Sequence, residues 1–141
     1  MDATAALSAL VAAYRDDGAD VRLVADDALE LPIDEPALRR LASNLIDNAL
    51  KHGGQPVLVT IERAAAGRRL TVVDRGPGIP ADRWSTALEP FARFDPSRGR
   101  PGSGLGLFVV RRIAEAAGAI LRPGSGPRSS IVIEWPDRPP T

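Results

Sequence analysis

The stretch from residue 34 to 54, DEPALRRLASNLIDNALKHGG, constrains the fold more than any other part of the chain. Asp34 is a helix N-cap, since its side-chain oxygen can take an orphan first-turn N–H. Pro36 falls in the first turn, where a missing N–H costs nothing, and Gly53-Gly54 supplies a stop. Between them Leu38, Leu41, Leu45 and Ala49 recur at i, i+3, i+7 and i+11, one apolar stripe facing a core. The partner for that stripe follows at once. PVLVTIER (56–63) and RLTVVDR (69–75) are β-branched runs joined by AAAGR, the pattern of an antiparallel hairpin. The chain therefore reads as a helix laid on a sheet.

The rest of the pattern extends this layer. Residues 3–14 read as a short helix, and 21–27 with 29–34 as a strand pair around a polar turn. A short helix is expected near 81–88, a longer one over 105–118 with Gly118 as its stop, and a last strand pair in AILRP and 130–135. Residues 89–104, EPFARFDPSRGRPGSG, have no period and form a long loop of the kind that serves as a lid. Strand pairs mixed with single helices predict an α+β protein, a two-layer α/β sandwich with a mostly antiparallel mixed sheet on one layer of helices.

Some functions are excluded by composition. Eighteen basic residues balance 18 acidic ones, which removes the electrostatic case for nucleic-acid binding. The absence of cysteine rules out a disulfide framework and thiolate metal sites, and suits a reducing compartment. No signal-peptide pattern follows Met1. The longest apolar run, near 105–110, is far shorter than the roughly 20 residues a bilayer needs.

Three stretches carry polar chemistry. In NLIDNALKH (44–52), Asn44 and Asn48 are i,i+4 neighbours, and Lys51 and His52 follow one turn on. They are the only lysine and the only histidine in the chain. Amide oxygens with an ammonium nearby suit a metal-bound polyphosphate, because Mg²⁺ takes oxygen ligands and Lys offers a point charge. A solvated helix face ending in two cations is the plainer reading. In VVDRGPGIP (72–80), Asp74 ends an apolar strand and Gly76 and Gly78 follow. Such glycines let backbone approach a ligand, and the carboxylate can accept from an amino group, while an ordinary Asx turn would use the same residues. In GSGLGL (102–107), glycines precede a helix N-terminus, where free N–H groups attract anions. The dinucleotide fingerprint fails, because the spacing is G-x-G-x-G after an Arg/Pro-rich loop, and the Walker loop fails because no G-K-[S/T] occurs anywhere.

In this order the motifs resemble the catalytic ATP-binding domain of bacterial sensor histidine kinases, within the superfamily of gyrase, Hsp90, histidine kinase and MutL ATPases. NLIDNALKH resembles the N box, DRGPGI the G1 box, EPFARF the F box and GSGLGL the G2 box, so the likeness runs from about residue 20 to 136. It implies ATP and Mg²⁺ as ligands, with Asn48 on the metal, Asn44 beside the phosphates and Lys51 on a phosphate. It implies His52 beside the nucleotide, and Asp74 on the adenine amino group in a pocket shaped by Gly76, Gly78 and Ile79. Gly102, Ser103, Gly104, Leu105, Gly106 and Leu107 would offer backbone amides to the phosphates, Phe91 and Phe94 would anchor the lid, and Arg93 would reach a phosphate. Ser129 falls where the family often has Thr or Ser near adenine, although Pro-Arg precedes it here instead of the usual glycines.

One position separates the members. Hydrolysing relatives carry Glu four residues before the metal asparagine, to activate water. Here that residue is Asn44, which argues for transfer to an acceptor. The resemblance implies an acceptor histidine on a separate dimerisation domain, onward transfer to a response regulator, and a dimer in the full-length protein with this domain alone monomeric. It implies the cytoplasmic side of a membrane-bound receptor. Residues 1–19 would then be a remnant of the connection, 20–136 the catalytic domain and 137–141 a tail. The alternatives are a stand-alone serine kinase or ATPase of the same superfamily, and a catalytically silent nucleotide-binding or interaction module.

Overall fold

The computed structural model describes residues 1–26, 28–79, 81–89, 106–125 and 128–137. Its central helix, α2 (Glu35–His52), is framed as its sequence requires. The Asp34 Oδ1 accepts from the Ala37 N–H at 2.8 Å, and the Gly53 N–H returns to the Ala49 carbonyl at 2.8 Å. The buried face holds Leu38, Leu41, Leu45 and Ala49, and widens to include Ala42 and Ile46.

Before α2 come α1 (Ala3–Asp16) and β1 (Val21–Ala25); after it, β2 (Val57–Ala64) and β3 (Gly67–Val73) form the expected hairpin. A short 3₁₀ turn (Ala81–Arg83) runs into α3 (Trp84–Ala87). The chain ends with α4 (Gly106–Ala116), β4 (Ile120–Pro123) and β5 (Ser130–Pro136). The five strands lie in the order β1-β2-β3-β5-β4, antiparallel throughout except for β1 and β2. Helices α1, α2 and α4 pack together and onto strands, which makes the α+β, two-layer arrangement. Val21, Val57, Val59, Ile61, Leu70, Val72, Ile131 and Ile133 face them from the sheet.

One expected pairing does not occur. Residues 29–34 are not a strand; only an isolated bridge joins Glu30 to Asp2. Pro32 has no N–H to give a ladder. The edge of β1 is taken instead by β2 in parallel, Val21 opposite Val57 through Ala25 opposite Ile61. Leu29 and Leu31 sink into the core at 1% exposure each. The Leu29 N–H donates to the Thr4 hydroxyl and its carbonyl accepts from the Ala3 N–H, while the Leu31 N–H donates to the Met1 carbonyl.

Residues 1–19 are packed into the same core. Ala3, Leu7 and Val11 of α1 are buried in it, and the Tyr14 hydroxyl donates to Asp47 Oδ1 at 2.6 Å, clasping α1 to α2. Burial and that carboxylate together push the Tyr14 hydroxyl well above its ordinary pKa. On the other sheet face, Arg69 of β3 and Arg122 of β4 both donate to Glu134 Oε1 of β5. Among the described residues, no helix is long and apolar enough to cross a membrane.

Candidate nucleotide site

The C-terminal turn of α2 abuts the end of β3, and the contact explains the glycines there. Asp74 follows the last residue of β3, and its N–H donates to the Ser129 carbonyl at 2.9 Å, carrying the β3–β5 ladder one step further. Asp74 is 8% exposed, the one buried polar or charged residue among the described residues. Oδ1 accepts from the Gly76 N–H at 2.6 Å, and the Ser129 hydroxyl also bonds this carboxylate. Burial raises the Asp74 pKa above its ordinary value, and the Gly76 bond, the Ser129 bond and the charge of His52 pull the other way.

Two glycines make room for that carboxylate. A Cβ at Gly53 would stand 2.0 Å from Asp74 Oδ1, and one at Gly76 would stand 2.6 Å from the Gly53 Cα. Gly53 itself has φ −109°, which any residue adopts, and it is Gly54 that takes φ +106° past the helix end. Gly53 is thus required by the side chain it faces rather than by the turn. Gly78 does need its φ of +80°.

In front of Asp74 lies a cavity of about 690 Å³. Asn48, His52, Asp74, Gly78, Ile79, Leu107 and Ser129, all named above from the sequence, line it together. Gly76 sits behind the carboxylate. Asn44 is half-buried on the preceding turn of α2 and Lys51 is exposed, and neither lines the cavity. Gly106 opens α4, with open space where a Cβ would be. Phe91, Arg93, Phe94 and residues 102–105 lie outside the described residues.

The cavity also has walls that the motifs did not announce. Gly53, Arg83, Trp84, Gly124, Arg128 and Ile131 line it as well. Gly53 was legible only as a helix stop. Trp84 had one signal, a large aromatic a few residues beyond a glycine-rich turn, and Arg128 had its place beside Ser129.

The residues fit a purine nucleotide with a divalent ion. A buried, ionisable acceptor at the cavity floor suits an exocyclic amino group. The side-chain amide of Asn48 on the same cavity suits an ion that brings its remaining oxygen ligands from phosphate and water. No cluster of three His, Cys, Asp or Glu that could hold a metal by itself occurs among the described residues.

Residues 33–139 match the family of histidine kinase-, DNA gyrase B- and HSP90-like ATPases. Over 144 residues the chain is 34% identical to the sensor histidine kinase component HK1 of Mycobacterium tuberculosis, covering 99% of this chain and 85% of that protein. It is 38% identical over 114 residues to the signal transduction histidine-protein kinase/phosphatase MprB of the same species, covering 74% of this chain but only 23% of that one. The solved structure of a mycobacterial sensor histidine kinase MprB superposes with a TM-score of 0.79 at 29% identity, over 99% of this chain and 97% of the other. With this architecture and this site, the chain belongs to the histidine kinase-, DNA gyrase B- and HSP90-like ATPase family, as the ATP-binding catalytic domain of a sensor histidine kinase.

Proposed function

We propose that this domain holds Mg·ATP in the cavity and transfers its γ-phosphate to a histidine on a separate dimerisation domain, from which a response regulator receives it. The observation that carries the reading is Asp74, ionisable, buried and backed by two glycines at the floor of a cavity of nucleotide size. Asp74 accepts from the adenine amino group, with the Ser129 hydroxyl holding the carboxylate in place. Gly78 and Ile79 bound the base, and Asn48 gives its amide oxygen to Mg²⁺. Lys51 and Asn44 serve the phosphates from the same helix, as do the first amides of α4, including Gly106 and Leu107, at the positive end of its dipole. Arg93, Phe94 and residues 102–105, which lie outside the described residues, complete the phosphate side as the family resemblance implies.

Phosphoryl transfer asks a protein mainly for position and charge. Bound Mg²⁺ neutralises developing charge on the phosphate oxygens. Asn44 has no basic electron pair at neutral pH, so α2 offers water no general base where hydrolysing relatives have Glu. The proton of the incoming imidazole leaves to a group outside this domain. The full protein is a dimeric receptor with this domain on the cytoplasmic side of a membrane.

Titration of a fluorescent ATP analogue, with and without Mg²⁺, tests the site in the wild type, Asp74→Asn and Asn48→Asp. Wild type should bind saturably and respond to Mg²⁺. Asp74→Asn should bind at least about tenfold more weakly, the worth of a hydrogen bond to a charged group. Asn48→Asp should alter the Mg²⁺ dependence. Wild-type affinity in Asp74→Asn would remove the adenine role, and no binding at millimolar nucleotide would leave the interaction-module reading. Steady hydrolysis by the isolated chain would favour the stand-alone ATPase.

A further inference from the structure

The cavity is lined by both polar and apolar side chains. Asn48, His52, Asp74 and Ser129 are polar, and Ile79, Trp84, Leu107 and Ile131 are the large apolar groups. Trp84 is the only one of the latter with a flat ring. It begins α3, directly after the 3₁₀ turn, and is partly buried against the core while still lining the cavity. Only four residues separate it from Ile79, which ties it to the base end of the site.

A purine whose edge is hydrogen-bonded to Asp74 still presents two apolar, polarisable faces. An aromatic side chain covers such a face, and each base stacked on one is held more tightly by a factor that does not depend on which base it is. We infer that Trp84 binds the purine by its face, supplying affinity where Asp74 supplies discrimination. The inference rests on the nucleotide reading above and assigns a binding role that none of the sequence motifs carries. The competing account is that Trp84 only plugs the core beneath α3.

The two Trp residues make the test direct. Trp135 is 3% exposed in β5 and lies about 13 Å along the strand from Ile131, so in Trp135→Phe the indole emission comes from Trp84 alone. ADP should quench that emission and inorganic tripolyphosphate, which has no base, should not. By calorimetry, Trp84→Leu should bind ADP about 5- to 100-fold more weakly, while Trp84→Phe, which keeps a flat ring, should retain most of the affinity. A role confined to packing would let Leu and Phe serve alike.

Equal ADP affinity in wild type and Trp84→Leu, or unmoved emission while calorimetry records binding, would overturn the inference and leave the nucleotide site standing. A wild type that binds no ADP in the calorimeter would overturn both. Should Trp135→Phe fail to fold, the wild-type emission minus that of Trp84→Phe gives the same reading.

Discussion

At Gly53 a single methyl group would occupy space that the Asp74 carboxylate already fills, 2.0 Å from Oδ1. Gly53→Ala must therefore push Asp74 out of place or shift the end of α2. We expect a loss of about 1–3 kcal/mol in urea unfolding, the usual cost of overpacking, together with loss of nucleotide binding. A mutant that binds and unfolds like the wild type would mean that the carboxylate is not held against α2. Asp74 also has a pH signature. Its folded pKa is raised, chiefly by burial, so between the ordinary carboxylate value and the raised one the folded state binds more proton than the unfolded. Stability without nucleotide should fall as pH rises through that window, and Asp74→Asn should abolish the slope. Nucleotide binding should run the other way, weakening as pH falls and the carboxylate protonates. A site that costs stability when empty and ionised is the expected mark of a binding residue.

Among the elements, α2 and the β2–β3 hairpin were legible because each is written in local spacing: cap, stripe and stop for the helix, and two β-branched runs about a short turn for the hairpin. The partner of β1 was not, because parallel pairing is set by a strand more than thirty residues away and leaves no local trace. The site divides the same way. Asp74 and Asn48 stand in recognisable motifs, while Trp84 and Arg128 line the cavity only because α3 and the β4–β5 turn fold beside it. The outer face of the sheet offers its own test. Arg122 and Arg69 hold the Glu134 carboxyl below the usual carboxylate range, the Arg122 hydrogen bond foremost. Its side chain is 32% exposed and solvent screens the cluster, so Glu134→Gln should cost only about 0.5–1 kcal/mol. That difference should be full above the ordinary glutamate pKa and vanish as pH falls through the lowered folded value. A pH-independent difference would count against the ion cluster.

For the whole molecule, the last contact to form decides when it becomes a receptor for its ligand. The β2–β3 and β4–β5 hairpins close over short stretches and should form early, whereas β1 reaches β2 only after α2 has crossed between them. Asp74 arrives with the first hairpin, but Gly53 and Asn48 arrive with α2. Nucleotide then has nothing to grip in the transition state for folding. Saturating ATP, at 100 times its dissociation constant, should raise stability by about 2.7 kcal/mol and should do so by slowing unfolding, with the refolding rate left as it was. Stopped-flow chevrons with and without nucleotide would read this directly, and a faster refolding limb would mean that the crossover helix docks earlier than its topology suggests. The domain would then owe to its ligand a longer native lifetime rather than a quicker birth.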